Sequence, residues 1–194
     1  MKKHLILSLL TAIIILASCQ KENDTTPTAI EGAYKIKSLS AKTNVIVTGS
    51  EGEKIVTTSD YTTINNQGTL VFDQSNLTYT GLTYSIDTEA KYYIYLDNDL
   101  VDSASFPLQA TLPSTNGVAP YKLIGADSIY FPQGSVASGG MGNTQTLASG
   151  GRYTLNGNLL TITQHVSKDS TFQDSGETFN LAESGVSTIV IEKQ

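Results

Sequence analysis

Tyr153-Thr154-Leu155-Asn156-Gly157-Asn158-Leu159-Leu160-Thr161-Ile162 is the stretch on which the fold class turns. Two runs of β-prone residues flank Asn156-Gly157, a pair that tolerates the positive φ of a tight hairpin whose twist matches its strands. A two-residue turn centred there sets Tyr153 opposite Leu160, on the face shared with Leu155 and Ile162. Side chains alternate along a strand, so Thr154, Thr161 and Thr163 take the other face.

The same period of two recurs outward from this hairpin. Tyr34 and Ile36 alternate with Lys35 and Lys37. Leu70 and Phe72 follow Gly68, and Leu77 and Tyr79 follow a turn at Ser75-Asn76. Tyr92, Ile94 and Leu96 share one face, with Lys91, Tyr93 and Tyr95 on the other. Ile129 with Phe131, Phe179 with Leu181, and Ile189 with Ile191 repeat the pattern. Ten tyrosines without tryptophan, turn residues about every 8 to 12 positions and almost no helical spacing together predict an all-β protein of about nine to eleven strands. Tyr121-Lys122-Leu123-Ile124-Gly125 echoes Tyr153 to Gly157, as a meander of similar hairpins would. Two segments break the rhythm. Pro107 to Pro120, with three prolines, reads as a long connection, and Gln133 to Gly151, with six glycines, reads as a surface loop or a lid.

The amino-terminal segment carries a different signal. Lys2-Lys3-His4 precedes an apolar run from Leu5 to Ala17, too short for the ~20 helical residues that cross a bilayer. It reads as a secretory signal, residues 1–18, ending in Leu16-Ala17-Ser18-Cys19. That ending resembles the lipobox of bacterial lipoproteins, which implies cleavage before Cys19 and diacylglyceryl transfer to its thiol, a soft nucleophile. Two or three acyl chains hold a protein on a membrane where one does not. Residues 19–29 are polar and read as a tether between the lipidated Cys19 and a single domain over residues 30–194. Gln20 is not the aspartate associated with inner-membrane retention, and Glu22 and Asp24 resemble a surface-export signal. The expected location is therefore the outer membrane, on the cell surface rather than the periplasmic face.

The stretch from Glu31 onward is similar to the lipocalin-like, calycin-type lipoproteins of Gram-negative envelopes. Gly32-Ala33-Tyr34-Lys35-Ile36 resembles their opening strand, Asn66 to Phe72 their Gly-Thr hairpin, and Gly151 to Ile162 their late hairpin. Tyr34 stands where the family has tryptophan, and Pro107 to Ser149 is longer than in a minimal barrel. The resemblance implies an antiparallel meander forming a lipocalin-like barrel with a possible cavity. An open β-sandwich gives the same strand pattern.

Composition excludes much chemistry. Without residues 1–18 the chain keeps 10 basic and 18 acidic residues, a formal −8, and has no basic run to meet a phosphate backbone, so nucleic acid is not an expected partner. Cys19 is the only cysteine and is committed to lipid, leaving no disulfide, thiolate zinc site or cysteine nucleophile. His165 is the only histidine left. Thr48-Gly49-Ser50-Glu51-Gly52 lacks the first glycine of a hydrolase elbow, and His165 falls on an outer strand face. Asp97, Asp99 and Asp102 cluster, but Val101 occupies an oxygen-ligand position, so Asp97-Asn98-Asp99 reads as a hairpin turn and not a calcium loop. No catalytic residue, metal or cofactor is expected. The sequence thus predicts a lipid-anchored, non-catalytic β-barrel that binds a small or apolar ligand. A second reading is a surface interaction or glycan-contacting protein with a filled core. Replacing Cys19 by serine is expected to abolish palmitate labelling and to move the protein from the membrane to the soluble fraction; unchanged fractionation contradicts the anchor.

Overall fold

The computed structural model describes residues 29–134 and 148–194. Cys19, the signal, the tether up to residue 28 and residues 135–147 of the expected Gln133–Gly151 loop lie outside them. Ten antiparallel strands form one sheet: β1 (Gly32–Thr48), β2 (Glu53–Thr62), β3 (Ile64–Phe72), β4 (Asn76–Leu96), β5 (Asp99–Pro120), β6 (Lys122–Ile124), β7 (Ser128–Phe131), β8 (Ser149–Asn156), β9 (Leu159–Asp174) and β10 (Glu177–Lys193). The fold is all-β.

The topology is a meander once β2 and β3 are seen to share one lane. Both lie between β1 and β4, β2 pairing with the far half of β1 and β3 with its start. The bend between them is stitched by Thr63, whose Oγ1 accepts the Leu39 N–H at 3.2 Å and donates to Asn66 Oδ1 at 2.6 Å. Asn65 and Gly68 take positive φ there, and a Cβ on Gly68 would press into the Leu82 backbone. β1 carries its own bulge between Ile36 and Ser38, and such irregularities re-aim a strand.

Closure depends on Tyr121. β5 ends at Pro120 beside Asn76 of β4, and after Tyr121 the same run of chain continues as β6, which pairs with β7. One segment thus forms both ends of the sheet, and the sheet closes into a small barrel. Tyr121 N–H donates to Ser75 O at 2.7 Å, and its hydroxyl donates to Asp73 O. Inside, Tyr34, Phe72, Tyr121 and Phe131 meet in successive ring contacts at 5.7, 5.3 and 6.3 Å between centroids. Leu70, Ile129, Tyr153, Leu160, Ile162 and Ile191 complete the packing. Lys193 Nζ donates to Glu31 O at 2.9 Å and lies 5.9 Å from the Tyr34 ring centroid, fastening the last strand over the entry of the first. An aromatic, fully alternating interior of this kind is compatible with a lipocalin-like fold.

The structure corrects three readings of the sequence. Pro107 to Pro120 is not a connection but part of β5, paired along β4. β5 has one unpaired edge above its final residues, and Pro113 falls in a bulge where Leu82–Tyr84 face Thr115–Leu112, so the missing N–H groups cost little. The hairpin turn is Gly157-Asn158 rather than Asn156-Gly157, with positive φ at Gly157 and not Asn158. Tyr153 consequently faces Ile162, and Leu155 faces Leu160. The slip is two residues, so the faces assigned from alternation are unchanged. Ser149–Gly151 belong to β8 and not to a loop.

Burial pushes the Tyr121 hydroxyl up to about 12, helped by the negative charges of Glu31 and Asp73, and raises Tyr34, Tyr61 and Tyr84 as well. The unfolded chain ionises these tyrosines near pH 10 while the folded one holds its protons, so stability is full below pH 10 and falls as pH rises toward 12. In denaturant titrations, Tyr121→Phe is expected to cost about 1–2 kcal/mol at pH 7. It should also flatten the decline between pH 10 and 12; an unchanged slope contradicts the assignment.

Candidate functional site

β1 is 17 residues long, and the core uses only its first half. At about 3.3 Å per residue, the strand continues some 20–25 Å past Ala41. β2, β4, β5, β9 and β10 continue with it, in the order β5-β4-β2-β1-β10-β9. No residue of 44–48, 53–58, 91–108 or 165–186 is buried, and residues on both faces are half-exposed or exposed. The projection is therefore a single layer of sheet, with nothing packed on either face among the described residues.

Pairing arranges its inner face, the one continuous with the barrel interior, into rows. The outermost full row is Asp102, Ile94, Ile55, Val47, Leu181 and Ser170. The next toward the barrel is Ala104, Tyr92, Thr57, Val45, Glu183 and Lys168. The third is Phe106, Ala90, Ser59, Thr43, Gly185 and Val166. Cross-strand ring pairs brace the margins: Tyr92 with Phe106 at 6.4 Å, and Phe172 with Phe179, stacked at 5.2 Å. Ile55, Leu96, Phe106 and Phe172, spread over this face, are 39–50% exposed.

Polar side chains mark the step from this face to the barrel core. Thr43 Oγ1 and Ser59 Oγ lie 2.7 Å apart, and one step lower Ser187 and Gln164 are buried, with Gln164 Nε2 donating to Ser149 Oγ at 3.3 Å. The row of Ser187 and Gln164 also holds Ala41 and Tyr61 of the core, so the projecting face runs on from the barrel interior through a partly polar step.

The outer face is the more polar one, crossed by one apolar row of Tyr93, Val56, Ile46 and Ala182. Lys42 and Asp60 form an ion pair at 2.8 Å, which raises the lysine through its hydrogen bond and charge. Gln109 donates to Asp87 at 3.0 Å. Tyr93 and Tyr95 stand here, half-exposed, with Lys54 Nζ 4.5 Å from the Tyr95 ring centroid.

The residues weighed from the sequence are not brought together. Ser50 lies in the turn after β1, while His165 is exposed opposite Val186, which pairs with Lys42, at least ~20 Å of strand away. Asp97 and Asn98, both with positive φ, form the turn between β4 and β5, and Asp99, read with them as turn, is the first residue of β5. Among the described residues no group of three or more His, Cys, Asp or Glu side chains is placed to hold a metal ion. Cys19 is outside the described residues. What the sequence reading missed is the inner apolar face. Its signal was present in the alternation of Tyr92, Ile94 and Leu96 and of Phe179 and Leu181, but reading Pro107 to Pro120 as a connection hid the strand that forms one margin. Compared with known proteins, the chain matches no family model, no curated protein and no solved structure.

Proposed function

We propose that the protein is a non-catalytic contact protein of the bacterial envelope, held to the outer membrane by lipid on Cys19 and working through its projecting sheet. The observation that carries this reading is the single-layer projection itself, paired strands that extend well past the core with both faces open among the described residues. Such a layer contributes little burial, so it weakens the fold unless it is used. The barrel supports it as a pedestal. Ile30 is buried at the barrel end where β1 begins, and the projection leaves from the opposite end of that strand, away from the tether.

Membership of the lipocalin-like envelope lipoproteins belongs to the same proposal, supported by the barrel closure and by Tyr34 in the position of their opening-strand aromatic. A small apolar ligand within the barrel is the competing reading. The ring contacts of Tyr34, Phe72, Tyr121 and Phe131 occupy the space such a ligand would need, which favours contact through the surface. On the outer face, Tyr93 and Tyr95 beside Lys54 and Lys91 offer ring faces with nearby hydrogen-bond donors, the chemistry that glycans meet on proteins.

The test uses the full lipidated protein in nanodiscs over an array of bacterial and host surface glycans. Retention of at least one glycan class, falling tenfold or more in the Tyr93→Ala/Tyr95→Ala variant, is expected, in line with the weight of central tyrosines at interfaces. Absence of retention, or equal retention by the variant, overturns the glycan assignment. Native mass spectrometry of the same sample is expected to show no co-purifying small molecule, and an adduct of constant mass returns the ligand reading to first place.

A further inference from the structure

Resting on the reading of the projection as a contact element, we infer that its inner apolar face is covered by a second copy of this chain, the two projections packing face to face as a β-sandwich. The occupant is identified by the face's own order of residues. Anchoring both copies in one membrane requires both tethers on the same side, so the symmetry axis must run parallel to the strands. Such an axis lays β5 over β9 of the second copy, β4 over β10 and β2 over β1, each row meeting its own counterpart.

The rows are complementary under that operation. In the outermost row Ile94 meets Leu181 and Ile55 meets Val47 of the second copy. In the third row Phe106 meets Val166, Ala90 meets Gly185, and Ser59 meets Thr43. The middle row sets the Tyr92 hydroxyl, a donor, against the Glu183 carboxylate. Asp102 and Lys168 lie on opposite margins in adjacent rows, so each copy's acid comes beside the other's ammonium, twice per dimer. A bilayer or a small apolar molecule gives no reason for opposite charges on opposite margins. The size is also adequate. Five strand spacings and seven residues along β1 make a face of about 24 by 23 Å, and two such faces remove on the order of 1,100 Å², past the ~1,000 Å² that a biological interface needs and in the range of weaker, reversible association. Strands of packed sheets stay within about 30° of each other, which the parallel axis permits.

The experiment takes the full lipidated protein in membranes. The described domain has no cysteine, so introduced thiols report cleanly. Phe106→Cys with Val166→Cys is expected to give an oxidised covalent dimer, and Ser105→Cys with His165→Cys, on the opposite face, none. The two sites of one chain stand about 24 Å apart across the sheet and do not bridge each other. In parallel, Asp102→Lys should weaken self-association at least tenfold and Asp102→Lys/Lys168→Asp should restore it to within threefold. A monomer at every surface density, equal cross-linking on both faces, or no rescue by the exchanged pair overturns the inference. A monomer carrying a small apolar molecule overturns it in favour of that occupant. Loss of self-association with glycan retention intact rejects this inference alone, whereas an intact dimer without retention rejects the earlier reading alone.

Discussion

The molecule depends on the contact set of one side chain. Tyr121 sits where β5 becomes β6, and its ring packs between Phe72 and Phe131 while its backbone and hydroxyl bond to the turn before β4. Without that fastening, the segment that is at once the first and last strand of the sheet would have no reason to curve inward. Edge-to-face rings tolerate the changing distance between strands better than aliphatic chains do, which suits a barrel with no tryptophan to fill it. The high proton affinity of Tyr121 is the electrostatic sign of the same burial.

Closure at one end leaves a sheet problem at the other. A β-sheet with an apolar face must bury that face against something. In the barrel each strand's inner residues meet the inner residues of the strands opposite. Beyond Thr43, Ser59, Ser187 and Gln164 the short strands β6, β7 and β8 have ended, and among the described residues nothing closes the circle. Six long strands continue with valine, isoleucine, leucine and phenylalanine on one face and a more polar set, with the Lys42–Asp60 ion pair, on the other. Such asymmetry has no stabilising use in a lone single layer. It has one if the face is covered, and the free edges support the view that the layer is built to project without uncontrolled pairing: β5 carries Pro107 and Pro113, and β9 carries Lys168 and Asp169.

How much of this was legible in the sequence follows from what each signal measures. Alternation reports faces, and the faces of Tyr34 and Ile36, Tyr92 and Ile94, and Tyr153 and Leu155 were readable because a side chain's side does not depend on register. Register itself was not readable at Asn156-Gly157-Asn158, where two adjacent dipeptides can each turn and only the wider sheet, through Lys193 N–H to Asn158 O at 2.7 Å, chooses between them. Proline misled at 107–120 because its missing donor forbids a central strand and permits an edge strand, and edges cannot be known before topology. The projecting face was hidden for the same reason. It is made by pairing β5, β4, β2, β1, β10 and β9 side by side, and no local window contains more than two of them.

Amide hydrogen exchange on the full-length protein, followed residue by residue at high dilution, addresses the division of the molecule most directly. Amides around Tyr34–Ile36, Leu70–Phe72, Leu160–Ile162 and Ile189–Ile191 should exchange only through global unfolding, and those of Val45–Thr48, Tyr92–Leu96 and Phe179–Leu181 should exchange orders of magnitude faster through local opening. Uniform protection along β1 from Tyr34 to Thr48, or faster exchange in the barrel than in the projection, would contradict the account of a filled barrel carrying an uncovered layer of sheet.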